Sequence, residues 1–111
     1  MIPDVDVLRP RVGVAVVELR GEHDLATRSE IDDLFTSLVE GNDLVVVDVT
    51  EARFVDSTFL LNLAKAHRLA ESRGSRLCLQ FATAPIVRRA LEVSGLLEHL
   101  DWVTDREQAM A

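Results

Sequence analysis

One stretch constrains this chain more than any other: Leu44-Val-Val-Val-Asp-Val-Thr-Glu-Ala-Arg-Phe-Val-Asp-Ser-Thr-Phe-Leu-Leu-Asn-Leu63. From Leu44 to Val49 it is almost wholly apolar and β-branched, with Asp48 as the exception. Such a run fits a strand covered on both faces. After Asp56, Ser57 and Thr58 the apolar spacing becomes helical, and all three residues carry side chains suited to a helix N-cap. A hydroxyl is thereby presented at a helix start on the rim of a sheet, where the helix dipole and free N–H groups favour phosphate. Asp-Ser-Thr at a helix start is also ordinary capping chemistry, so the motif alone assigns no function.

The remaining segments set this one in a frame. Val5–Leu8 and Val12–Leu19 read as two strands of a hairpin with Pro10 near the turn. Thr27-Arg-Ser-Glu30 has the capping-box pattern, followed by Ile31, Leu34, Phe35 and Leu38 at helical spacing and by Gly41-Asn42 as a stop. Gly74 ends the central helix. Arg76–Ala82 reads as a third main strand. Thr83-Ala-Pro85 opens a further helix, which Ser94-Gly95 closes. His99–Val103 reads as a short edge strand, and Thr104-Asp-Arg-Glu107 repeats the capping box. Strands alternating with helices imply right-handed crossovers and a largely parallel sheet, made mixed by the hairpin. The expected architecture is therefore α/β, a small mixed, largely parallel β-sheet flanked by helices.

With 111 residues, a single domain spanning 1–111 is the expectation. The net charge of −7 argues against a nucleic-acid or anionic-membrane partner, because both reward a basic face. No apolar run approaches the roughly 20 residues of a membrane span, and Met1-Ile-Pro-Asp lacks the features of a secretory signal. A lone cysteine, Cys78, excludes an internal disulfide and suits a reducing cytoplasm. Cysteine and histidines at these spacings give no metal-ligand set.

On the central helix, Phe59, Leu63, Ala66 and Ala70 project to one side, flanked by Leu60 and His67. Leu61, Lys65, Arg68 and Ser72 project to the other. Leu61 is the apolar misfit among cations; a lone exposed leucine is commonplace, yet beside a hydroxyl-bearing helix start it is also a candidate partner contact. His67 falls towards the apolar side and reads as a packed, hydrogen-bonded histidine. Ser57 as a nucleophile lacks a Gly-x-Ser-x-Gly elbow, and neither a P-loop nor a dinucleotide fingerprint is present. A phosphoacceptor receiver domain would need a lysine after the last strand, whereas Lys65 on the central helix is the only lysine.

Three blocks in order carry a whole-chain resemblance: Leu19-Arg-Gly-Glu-His-Asp24-Leu-Ala-Thr27, then Val46-Val-Asp48 through Phe54-Val-Asp56-Ser57-Thr58, then Pro85-Ile-Val-Arg-Arg-Ala-Leu-Glu-Val-Ser-Gly95-Leu96. Together they resemble the STAS domain of bacterial anti-sigma factor antagonists. The resemblance implies a cytoplasmic, non-catalytic regulator of transcription without a cofactor. Such a protein binds an anti-sigma factor serine kinase and so frees a sigma factor. The kinase phosphorylates the serine after the motif aspartate, which maps to Ser57, and a PP2C-type phosphatase reverses it. Asp24 matches the family's loop aspartate and is expected within roughly 15 Å of Ser57, about twice the Debye length at physiological salt. The implied partner surface comprises Asp24, Asp56, Ser57, Thr58 and Leu61. Phe59 stands where the family usually has glycine, and this departure motivates the alternative of a non-switching STAS interaction or scaffold subunit.

Overall fold

The computed structural model describes residues 4–23, 28–81 and 85–110. Five strands form one sheet in the order β1-β2-β3-β4-β5: Val5–Arg11, Val14–His23, Leu44–Val55, Arg76–Gln80 and Asp101–Val103. β1 and β2 pair antiparallel, and every later pair is parallel. Helices α1 (Arg28–Gly41), α2 (Ser57–Arg73), α3 (Pro85–Ser94) and α4 (Arg106–Met110) follow β2, β3, β4 and β5 in turn. The expected mixed α/β architecture is what the chain adopts.

The hairpin turn lies later than expected. Pro10 sits inside β1, where the register shifts between Leu8 and Arg11; an edge strand tolerates the missing N–H. Val12 is fully exposed in the turn. Gly13 has φ +81°, and a Cβ there would lie 2.8 Å from an Asp43 carboxylate oxygen. Its carbonyl accepts the N–H groups of Asp43 and Leu44, which ties the turn to the start of β3.

β3 also exceeds the expected span, running on through Thr50-Glu-Ala-Arg-Phe to Val55. The register against β2 slips between Glu18 and Arg20, so that Arg20 opposes Glu51. Buried Val49 and Ala52 are then three residues apart instead of two, the signature of a bulge at Thr50–Glu51. β4 ends at Gln80, and β5 covers only Asp101–Val103, because Leu96–Glu98 forms a 3-10 turn ahead of it.

One face of the sheet carries the main core. Val17, Leu19, Val45, Val47, Val49, Leu77 and Leu79 pack there against Ile31, Phe35, Leu38 and Val39 of α1, Phe59, Leu63, Ala66 and Ala70 of α2, and Val87 and Leu91 of α3. The other face has a small apolar cluster, Val16, Val46 and Cys78, covered by Ala109 of α4. The central strand is thus covered on both faces, as its composition implied.

Candidate functional site

β3 delivers the chain to the rim at Val55, and α2 starts two residues later. Asp56 has an extended backbone (φ −97°, ψ 177°), and its carboxylate accepts the N–H of Phe59 at 2.9 Å. Its carbonyl accepts the N–H of Leu60 at 3.1 Å. Asp56 is therefore the N-cap, while Ser57 and Thr58 occupy the first two helical positions. Their own N–H groups lie in the first turn, where a helix offers no intrahelical acceptor. Ser57 is exposed; Asp56 and Thr58 are half-buried.

From Ser57, the next residue on the same stripe is Leu61, four positions on and 68% exposed. Lys65 and Arg68 continue that stripe, with Lys65 donating to Asp32 of α1 at 2.9 Å. A hydroxyl, an exposed leucine and cations therefore share one solvent-facing ridge. The buried stripe is the expected one, with Phe59, Leu63, Ala66 and Ala70 all at 4% exposure or less. Asn62 is buried beside them at 7%, which helical projection did not anticipate. Phe59 meets Phe35 of α1 edge to face, ring centroids 6.1 Å apart. Its bulk is directed into the core and away from the Ser57 rim.

Asp24 lies outside the described residues, as do Thr27 and Thr83 of the expected caps. The last described residue of β2, His23, pairs with Val55, two positions before Ser57. His67 is half-buried, with Nε2 3.1 Å from a Glu71 carboxylate oxygen and Nδ1 buried without a partner. Ten residues along α2 place it about 15 Å up the helix from Ser57. It cannot serve that hydroxyl as a base. Among the described residues no group of three or more acidic, histidine or cysteine side chains is placed to hold a metal, and no helix is long and apolar enough to cross a membrane.

A second polar cluster escaped the sequence reading. Glu18, Asp48 and Gln80 stand in register across β2, β3 and β4, on the face away from α2. Arg106, the first residue of α4, donates to Glu18 at 2.8 Å and to Asp48 at 2.9 Å. The hydrogen bond to Glu18, helped by the charges of Glu18 and Asp48, holds the guanidinium above its ordinary pKa despite partial burial. The expected capping box of α4 is displaced by one residue: Asp105 accepts the N–H of Gln108 at 2.9 Å, and the Gln108 amide accepts that of Thr104 at 3.3 Å. The signal available in the sequence was an acidic residue breaking each of two apolar runs, Glu18 and Asp48.

Three solved structures share this architecture. An anti-sigma factor antagonist from Mycobacterium paratuberculosis superposes with a TM-score of 0.82 at 22% identity, covering 98% of this chain and 94% of that one. The anti-sigma factor antagonist SpoIIAA in its unphosphorylated form gives 0.74 at 15% identity, with 94% and 91% covered. The phosphorylated form of the Bacillus cell fate determinant SpoIIAA gives 0.73 at 19%, with 94% and 95% covered. At these identities the likeness establishes the fold. No curated protein sequence matches the chain. The family model described as "Mlab, STAS domain" matches residues 9–102, which is most of the chain and includes the whole sheet apart from its two ends. The chain belongs to the STAS domain family.

Proposed function

We propose that this STAS domain is an anti-sigma factor antagonist that binds an anti-sigma factor serine kinase and is switched by phosphorylation of Ser57. The observation that carries the proposal is the placement of Ser57: exposed, first in a 17-residue helix, directly after the capping Asp56, and at the foot of the ridge that presents Leu61. Two of the superposing proteins are described as anti-sigma factor antagonists, and one is described as phosphorylated. Asp56, Thr58 and Leu61 form the partner surface, with Asp24 proposed to join them from the loop after β2. A PP2C-type phosphatase is the proposed eraser.

A phosphate on Ser57 meets the positive end of α2, worth roughly 0.3–1 kcal/mol at an exposed site. The modification leaves the fold intact and acts on the interface, where a dianion beside Asp56 must be desolvated against the partner. A loss of about 3 kcal/mol there weakens binding more than a hundredfold. The burial of Phe59 against Phe35 supports this reading, because the ring that stands where the family usually has glycine is packed in the core.

The test is incubation with candidate anti-sigma serine kinases and ATP, followed by intact mass and site mapping. Ser57→Asp is expected to lose partner affinity and Ser57→Ala to keep it without responding to ATP. Phosphate found on Thr58 alone, or unchanged affinity for Ser57→Asp, would sink the switch. A second reading, a non-switching STAS interaction subunit, is favoured by the family description, which names Mlab and not an anti-sigma factor antagonist. It predicts partner binding on the same ridge with no phosphate incorporated.

A further inference from the structure

A groove of about 350 Å³ lies further along α2, where the helix faces the 3-10 turn ahead of β5. Half-buried Ala64 and Leu96 and buried Leu100 form its floor. Exposed Arg68, Glu71 and His99 stand at its mouth, beside half-buried His67. The Glu71 carboxylate is engaged by Nε2 of His67 at 3.1 Å. Nδ1 of His67 is buried and adds no surface to the groove. Among the described residues, neither the Arg68 guanidinium nor the His99 imidazole has an ion-pair or hydrogen-bond partner. The one carboxylate at the mouth is thus taken up, while two donors stand open over an apolar floor. We propose that the groove docks an acidic, leucine-containing segment of a protein partner. An apolar side chain of that segment sits on Ala64, Leu96 and Leu100, and a neighbouring carboxylate meets Arg68 and His99.

Charge and shape select that occupant. Arg68 presents a fork of N–H donors suited to a carboxylate, and His99 donates an N–H in either protonation state. On a chain of net charge −7, an open arginine above apolar surface is a local exception that favours an acidic partner. The volume stands at the low end for binding sites, so it takes a side chain and its neighbour and not a cofactor. Ala64 makes the room, because a larger side chain there would cover the floor. The groove also continues the ridge of α2: Leu61, Ala64 and Arg68 are spaced i, i+3, i+7. Arg68 lies about 16 Å along the helix from Ser57. An interface of about 800 Å² per partner spans both. That the groove and the Ser57 rim hold the same partner rests on the function proposed above; the chemistry of the groove does not.

The test is an NMR titration of the full chain with four probes: acetyl-Leu-Glu-Leu-Glu amide, its Leu-Gln-Leu-Gln isostere, a Ser-Glu-Ser-Glu peptide, and hexanoate. Saturable shifts at the backbone amides of Ala64, Leu96 and His99 are expected with the first peptide. The isostere is expected to bind about two- to fivefold more weakly, the range for an exposed ion pair. The serine peptide, with charge and no apolar side chain, is expected to give no saturable shift. Ala64→Phe is expected to abolish binding by covering the floor. Arg68→Glu, a change at an exposed position, is expected to reverse the preference between acidic peptide and isostere. Ser57→Asp is expected to bind the acidic peptide unchanged, so the groove stands or falls apart from the rim. If Ser57→Asp keeps its affinity for the anti-sigma kinase while the peptide results hold, the rim reading fails and the groove remains. No saturable shift with the acidic peptide, equal binding of the isostere, or an equal response to the serine peptide would overturn the proposal. Hexanoate binding as tightly as the peptide would overturn it too, by assigning the groove to a small free acid.

Discussion

The two faces of the sheet are built on different principles. The face under α1, α2 and α3 is continuously apolar, with Val17, Leu19, Val45, Val47, Val49, Leu77 and Leu79 at 1% exposure or less. The face under α4 is divided. Val16, Val46 and Cys78 are covered by Ala109, while two residues along the strands Glu18, Asp48 and Gln80 form a polar row in which Arg106 bridges Glu18 and Asp48. Three helices hold the first face by area; a helix of five residues holds the second by a few directed bonds. The thick face therefore sets stability and positions the rim that carries Ser57, and the thin face is where the fold can be changed locally.

The largest effect that would break this contrast lies in the thick core. Leu63 of α2 is fully buried, so Leu63→Ala is expected to cost about 2–5 kcal/mol, the range for a leucine removed from a packed core. Denaturant unfolding measures it. A loss below about 1 kcal/mol would show that the three-helix layer does not dominate stability.

On the thin face the corresponding change is Arg106→Met. It keeps the apolar stem over the sheet and removes the guanidinium from Glu18 and Asp48, whose side chains are 33% and 12% exposed. Solvent screens the pair in part, so about 1–3 kcal/mol is expected, below the cost of breaking a fully buried pair. If Arg106→Met matched or exceeded Leu63→Ala, the bridge and not the apolar area would be the stronger fastening.

How far these features could be read from the chain follows the same division. The thick face was legible because its strands and α2 repeat apolar residues at the periods of the structure, and Asp56 and Gly74 punctuate α2 by local chemistry alone. Gly74 has φ +73° and donates to the carbonyls of Ala70 and Glu71, as a helix stop does. The second half of β3 was not legible. Past Asp48 the strand outruns β4 and pairs only with β2, so Thr50-Glu-Ala-Arg mixes polar residues into it and loses the apolar signature. The Arg106 bridge was hidden for another reason: Glu18 and Arg106 are 88 positions apart, and no local pattern joins them. At the rim, the helix start is readable from spacing, the role proposed for Ser57 rests on family resemblance, and Asp24 falls outside the described residues. The cap of α4 falls at Asp105, one residue after Thr104, because Thr104, Asp105, Glu107 and Gln108 all suit the motif and only packing selects among them.

A smaller effect is expected at the α2 cap. Asp56→Ala removes the bond to the Phe59 N–H and is expected to cost about 1 kcal/mol. Seventeen residues of α2 packed on the core keep the helix in place, so the loss appears as a modest shift in melting temperature. A collapse of the fold would mean that Asp56 holds β3 to α2 by more than its cap.

The smallest expected effect is at the matching cap of α4, and it probes the thin face most directly. Asp105 accepts the Gln108 N–H at 2.9 Å, the same bond that Asp56 makes in α2. Five residues are too few for a helix to persist alone, so α4 depends on this cap, the Arg106 bridge and the contact of Ala109 with Val16, Val46 and Cys78. Opening of α4 exposes Cys78, which is otherwise fully buried. Burial pushes the Cys78 thiol above its ordinary pKa, with Arg76 opposing and Asp101 adding to the shift. The closed state thus holds an unreactive neutral thiol. Because the folded pKa is the higher one, the thiol's contribution to stability is complete below the unfolded value and is lost as pH rises through the folded value. Labelling by a thiol reagent near neutral pH therefore reports α4 opening. Asp105→Ala, by removing about 0.5–1 kcal/mol from the closed state, is expected to speed labelling about two- to fivefold with little change in global melting. Labelling that tracks global unfolding in both proteins would show that α4 is fastened as firmly as the three-helix layer, and the contrast between the faces would fall.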